Sequence, residues 1–413
     1  MRCHAIFLLV FCFLMPDYCA QAISDAEVLA AVQQGAELIL KGQEAYDFAA
    51  ETEAMKQARS AKKELTGIPG FRAGAEWPYQ GVYRVSSGEL PPGYRVGGSA
   101  IVALGLLSAP GFASDARRKK AVLACTEFIL HELEHEPLMA EGFLGTYDVR
   151  GWGHAYALEW LLRAADAKVF DGALQERAHK LALKLVKTLE KTEIAESGGW
   201  NYARRGGDVP SPASTFMTAP TLQTLFLAQA RGIAVRKDVI ERALKTIEDA
   251  RMDNTAFQYG TDPKRATGKG FEDVPGACAR MAVCESTLLL AGRGSVERVR
   301  GAVKAFFTHW EWLEKRRKQN GTHIPPYMIA PYYFHYAHTY CAQAIELLPE
   351  AERSDLRQQL RALYWKTREQ DGSWNDRVFE RSKHYSTAMS ILGLMAPTGP
   401  TVPRWQGTVA PAK

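Results

Sequence analysis

Two kinds of helix alternate along almost the whole chain, and the alternation leaves little choice of fold. The first kind is long and charged, at residues 27–42, 114–132, 172–191, 236–251, 295–316 and 352–369. Apolar residues recur there at three-to-four spacing with Lys, Arg and Glu between them, the pattern of a helix with one wet face. The second kind is shorter and rich in Ala, Leu, Cys, Met and Thr nearly all round, at 99–107, 154–164, 214–230, 276–291, 336–348 and 384–395. A helix that is apolar on every side is buried on every side. The starts of the second kind are 55, 60, 62, 60 and 48 residues apart, so the repeating unit is one helical hairpin. Six wet helices wrapped around six dry ones predict an all-α closed ring, an α/α toroid or (α/α)6 barrel. Nothing reads as a series of strands with turn signals.

Length alone suggests two to three domains for 413 residues. The repeat predicts one instead, spanning 23–396, followed by a loose Pro-rich tail over 397–413. The first 22 residues have the anatomy of a secretory signal: Met1-Arg2, an apolar run from Ala5 to Met15, Pro16, and the small-x-small site Ala20-Gln21-Ala22. The expectation is therefore an exported, periplasmic or extracellular protein. No later stretch is apolar for the length of a membrane span. The net charge of +5 comes from scattered residues, which argues against a nucleic-acid partner. Cys125, Cys278, Cys284 and Cys341 lie outside the signal and form no CxxC pair, so buried free thiols are expected and no metal or other cofactor is called for.

Gln370-Asp371-Gly372-Ser373-Trp374, after Arg361-Ala362-Leu363-Tyr364-Trp365, resembles the Gln–Trp repeat of squalene and hopene cyclases, and Gly198-Gly199-Trp200-Asn201-Tyr202 resembles a degenerate copy. The chain as a whole resembles the terpenoid cyclase and protein prenyltransferase superfamily of α/α toroids. The resemblance implies the fold, with the Gln–Trp repeat tying neighbouring helices together. It does not bring the chemistry. The Asp-x-Asp-Asp acid of class II cyclases is missing. Of a prenyltransferase-like zinc set, Cys284 and His338 are matched, but Ala282 stands where the Asp would be.

Candidate functional residues come from overlaying the inner helices. Glu159, Gln223, Glu285 and Gln343 coincide, with Met389 in the sixth helix. Such groups either hydrogen-bond between neighbouring helices and lock the ring, or, for Glu285, face the lumen as an acid. Five residues earlier stand His154, Thr218, Arg280, His338 and His384, near helix starts that meet at one mouth of the ring. Helix N-termini and arginine there favour an anion, and histidine is a common acid–base group. In a hydrolase or lyase, His154 or His338 would be the base, Tyr385 or Glu285 the acid and Arg280 the charge neutraliser. Aromatic and charged loop residues would line the mouth and bind substrate: Trp77, Arg95, Arg150, Trp152, Trp200, Tyr202, Arg204, Trp374 and Asp376. Residues 43–95 are long enough for a lid or rim.

The reading is an exported enzyme acting on a small anionic or oligosaccharide ligand in a central cavity. A non-catalytic toroid holding a peptide, lipid or glycan is the alternative. Terpenoid or prenyl chemistry without its usual acid, and a metal held by His154, His338 and His384, are further ones. Oligomeric state is not legible.

Overall fold

The computed structural model describes residues 22–49, 71–81, 90–134, 149–201, 212–261 and 269–407. The proposed signal (up to residue 21), Tyr202, Arg204 and residues 408–413 lie outside them. Six outer helices are present: α1 (Asp25–Lys41), α3 (Ala116–Glu134), α5 (Gly172–Thr192), α7 (Lys237–Asp249), α9 (Val296–Glu314) and α11 (Glu350–Thr367). The six inner ones are α2 (Pro92–Ser108), α4 (Arg150–Asp166), α6 (Thr215–Ala230), α8 (Val274–Leu290), α10 (Phe334–Ile345) and α12 (Lys383–Leu394). Each inner helix packs on the next, and α12 closes on α2. The chain is an all-α toroid.

The two helix kinds differ as their compositions require. Along α6 every residue from Thr215 to Gln229 is buried, whereas α7 buries one stripe headed by Val239, Ile240, Ala243 and Leu244. The first outer helix starts at a capping box: Ser24 accepts from the Glu27 N–H at 3.3 Å, and Glu27 accepts from the Ser24 N–H at 2.8 Å. Glycine lets α2 approach its neighbours. A Cβ at Gly93 would fall 2.4 Å from the Val149 backbone, and one at Gly105 2.9 Å from the Ala388 Cβ.

A tryptophan from the connecting loop wedges between outer and inner helix in three of the hairpins. The Trp77, Trp200 and Trp374 indole N–H groups donate to Ile39, Leu189 and Tyr364 carbonyls at 2.9, 2.8 and 2.9 Å, near the ends of α1, α5 and α11. Their backbone N–H groups donate to hydroxyls of the following inner helices, Ser99, Thr218 and Thr387, at 2.8, 3.0 and 3.1 Å. In the fourth hairpin Phe257 takes the place of tryptophan, and the buried Arg280 guanidinium donates to its carbonyl from Nε at 3.0 Å.

Two features add to the helical hairpins. Residues 43–95 contribute a two-stranded antiparallel sheet, β1 (Glu44–Ala49) with β2 (Phe71–Glu76), in register Glu44 to Glu76, and β2 packs on α3. The chain continues past α12 over residues 397–407. It crosses the C-terminal ends of the inner helices, with the Trp405 N–H donating to the Leu290 carbonyl at 3.1 Å and the Trp405 ring 5.7 Å from Phe226. Proline removes donors without preventing such a strap, because the neighbouring residues keep theirs.

The struts predict a graded loss. Trp374→Phe should lower unfolding free energy by about 0.5–1.5 kcal/mol by removing one of the two donors to the Tyr364 carbonyl, the Thr367 hydroxyl at 3.3 Å being the other, and Trp374→Ala by about 3–5 kcal/mol. Denaturant titration checks both; a loss below about 0.5 kcal/mol for Trp374→Ala would show that the wedge does not hold the hairpin.

Candidate functional site

Aromatic side chains from all six hairpins meet where the inner helices begin. Tyr79 and Tyr94 come from the first, Trp152 from the second and Phe216 from the third; Tyr259, Tyr333 with Tyr336, and Tyr385 follow from the fourth, fifth and sixth. They line a cavity of about 70 Å³. Tyr79 stacks on Tyr385 at 3.8 Å between ring centroids, and Phe216 on Tyr333 at 4.4 Å. Trp152 is half-buried and meets Tyr94 and Tyr156 edge-on at 5.5 and 5.1 Å. The loops and first turns of the inner helices supply these rings because the wedged loop aromatics fix where each inner helix starts.

Below this basin the lumen is bridged. Pro220 lies inside α6 and has no N–H for the Phe216 carbonyl four residues earlier. That carbonyl accepts instead from the Tyr336 hydroxyl of α10 at 3.1 Å. One turn deeper, the Tyr156 and Tyr340 hydroxyls are 3.0 Å apart. Burial pushes the pKa of both phenols up, so they stay neutral.

Two titratable groups adjoin the basin. Asp376 is fully buried; its Oδ1 accepts from the Ser386 hydroxyl at 2.9 Å, and its Oδ2 has no hydrogen-bond partner among the described residues. Burial raises its pKa to about 7, against the opposing Ser386 hydrogen bond and the Arg377 charge. Ser386 follows Tyr385 in α12. The Tyr385 phenol is itself pushed up, by burial first and by the Tyr156 and Asp376 charges next. His323 is part-buried at the mouth: its ring meets Tyr259 and Phe271 edge-on at 5.4 and 4.8 Å, and its Nε2 is 3.3 Å from the Tyr332 hydroxyl.

The remaining sequence candidates fall elsewhere. Trp77, Trp200 and Trp374 are the buried struts and present no face to the cavity. Arg95 binds the Glu76 carboxylate, with Nε to Oε2 at 2.9 Å, and covers Phe128. Arg280 holds the carbonyls of Phe257, Gly276 and Phe271, so its charge serves the loop before α8. Glu285 points outward into a bidentate pair with Arg251, 2.7 Å at both oxygens, and Ser286 faces the lumen in its place. His338 accepts from the Trp310 indole at 2.8 Å and donates to the Phe334 carbonyl at 2.7 Å. Both its nitrogens are engaged, which removes it from the three-histidine metal site; burial lowers its pKa to about 4. His384 packs outward over Gly42, where a Cβ would fall 1.8 Å from its Nε2. His154 and Arg150 are buried in the first turns of α4 and line neither main cavity. Of the expected set, the structure brings together Trp152, Tyr385 and the neighbouring Asp376. Among the described residues no group of three His, Cys, Asp or Glu side chains is placed to hold a metal ion. Nor is any helix among them long and apolar enough to cross a membrane.

His323 was missed because it stands in the loop before α10, outside the helix overlay. Its nearness to Tyr332-Tyr333 in sequence was the available signal.

No family model and no curated protein matches the sequence. Solved structures do. A variant of UGL, an unsaturated glucuronyl hydrolase, described with dGlcA-Glc-Rha-Glc, is similar with a TM-score of 0.52 at 12% identity, over 92% of this chain and 98% of that one. A variant of a reducing-end-xylose releasing exo-oligoxylanase is similar with a TM-score of 0.51 at 12% identity, over 92% of this chain and 95% of that one. At this identity the likeness shows the α/α-toroid fold. It does not extend to the terpenoid cyclase family that the Gln–Trp motif suggested.

The Asp376 environment has a definite pH signature. Its folded pKa lies above the ordinary 3.8, so the fold favours the protonated acid. That contribution is complete below about 3.8, is lost as pH rises towards about 7, and is constant above. Asp376→Asn mimics the protonated acid. Its melting temperature should therefore gain on the parent between pH 4 and 7 and then level off. A gap that does not change with pH would refute the buried-acid assignment.

Proposed function

We propose that the chain is an exported enzyme acting on a saccharide-like substrate by hydrolysis or elimination, with its site at the aromatic mouth. The observation that carries the reading is the convergence of rings from six hairpins on one basin. Flat phenol and indole faces match the C–H faces of sugar rings, and their hydroxyls match sugar hydroxyls. The cavity is shallow, so substrate would rest on the rings from outside, not be engulfed. Similarity to toroids named for glucuronyl and xylose oligosaccharides supports the same class. Export rests on the segment over residues 1–22.

In this reading the proton donor is the Tyr385 phenol, which lines the basin, while the fully buried Asp376 positions this turn of α12 through its bond to Ser386. Trp152, Tyr79 and Tyr385 would be the stacking floor, and His323 a second acid–base group at the rim. The small volume of the basin favours one other reading, a toroid that binds a glycan without converting it.

A panel of xylo-oligosaccharides and unsaturated glucuronyl oligosaccharides separates these outcomes, scored by reducing-end release and by ultraviolet absorbance of unsaturated products. Turnover is expected, with Tyr385→Phe lowering kcat by about 10²–10⁴-fold while binding persists. Saccharide bound but never converted would establish the binding module; no saccharide bound at all would end the proposal. Trp152→Ala should raise KM about tenfold with kcat little changed, the mark of a lost stacking contact.

A further inference from the structure

The opposite end of the ring holds a second and larger cavity, of about 380 Å³. It lies among the last turns of the inner helices, and residues 399–402 of the C-terminal strap form one wall. The strap is tied down on both sides of that wall. Arg163 reaches the Thr401 carbonyl at 3.4 Å, the Trp405 N–H bonds Leu290, and Gln229 Nε2 donates to the Gly407 carbonyl at 3.1 Å.

The chemistry of this cavity is unlike that of the basin. No aromatic side chain lines it among the described residues; its apolar surface is aliphatic, from Leu104, Leu107, Leu290, Leu392 and Met395. Its polar floor carries acceptors. Ser286 is 3% exposed, and its Oγ has no hydrogen-bond partner among the described residues; the same is true of the buried Gln343 Oε1. The Glu159 carboxylate has a long ion pair, 4.0 Å to Arg163. The other lining carboxylates are better matched. Asp166 is held by Arg231 at 2.5 Å, and Glu346 by Arg357 at 2.9 Å. Arg163 is the one cation of the lining among the described residues. Six inner helices also turn their C-terminal ends, the negative ends of their dipoles, towards this side.

We propose that this cavity binds a small organic cation with an apolar body, such as an alkylammonium ion, under the C-terminal strap. The ammonium group sits on Glu159 and donates to Gln343 Oε1 and Ser286 Oγ, three acceptors for three N–H donors. The alkyl chain lies against the leucines. An anion would meet carboxylates and dipole ends of its own sign, and a sugar would find no ring to stack on. The site is separate from the aromatic mouth, beyond the tyrosine bridges, so it stands or falls independently of the saccharide reading.

Calorimetric titration of the full chain with hexylammonium chloride tests it, with 1-hexanol and hexanoate as neutral and anionic counterparts. Saturable one-to-one binding of hexylammonium is expected, about tenfold tighter than hexanol, with none for hexanoate. Glu159→Gln should weaken hexylammonium about tenfold and leave hexanol unchanged. If that variant does not fold, Gln343→Leu serves in its place, with a smaller loss for hexylammonium and none for hexanol. No saturable hexylammonium binding would overturn the proposal, as would hexanol binding equally well or affinity indifferent to both substitutions.

Discussion

The tie between connecting loop and inner helix, made in four of the six hairpins, is the constraint on which the rest of the ring depends. An inner helix buried on all sides has no wet face to set its rotation, and hydrophobic burial alone is indifferent to how it turns. A directional contact must choose. Ser99, Thr218 and Thr387 make that choice by accepting the backbone N–H of a tryptophan whose indole is fixed to the outer helix. Arg280 makes it with a guanidinium on the Phe257 carbonyl. Once the rotation is set, the other side chains of the helix are set too: Tyr385, two residues before Thr387, lands in the basin, and Ser286, six residues after Arg280, in the lumen.

That dependence explains how far the sequence could be read. The six hairpins were legible because three-to-four periodicity in the outer helices and its absence in the inner ones are direct consequences of one-sided and all-round burial. The functional register was not. Aligning inner helices by their polar residues puts Glu285 beside Glu159 and Gln223, yet Arg251 draws Glu285 outward and Ser286 takes the lumen position. The same alignment puts His384 level with Thr218, whereas the tryptophan tie makes Thr387 its true counterpart. An error of one residue rotates a helix by about 100°, enough to take a side chain out of the lumen, and an error of three leaves a net offset of about 60° and nearly one turn along the axis. The histidines looked like a catalytic series because their helical positions matched. The structure gives His338 to Trp310 and His384 to the Gly42 turn.

Parallel inner helices make the two ends of the ring chemically unequal. The end where helices begin is electropositive from its unpaired N–H groups, and the end where they finish is electronegative. The lining follows this polarity. Phenols and one neutralised acid gather at the first end, where the carboxyl of Asp376 is disfavoured as an anion by burial rather than by neighbouring negative charge. At the second end aliphatic walls surround oxygen acceptors, and the strap closes over them with backbone hydrogen bonds of its own.

Between the ends stand the tyrosine bridges, and their origin is local. Pro220 deprives the Phe216 carbonyl of its helical donor, and a buried carbonyl without a donor costs about 1–3 kcal/mol. The Tyr336 hydroxyl satisfies it from the facing helix, and the Tyr156–Tyr340 pair repeats the crossing one turn deeper. A proline that would weaken an isolated helix therefore supplies the acceptor that divides the lumen. The neutral phenols of these bridges lie between the two cavities. The two cavities, at oppositely polarised ends of one ring, are thereby kept apart.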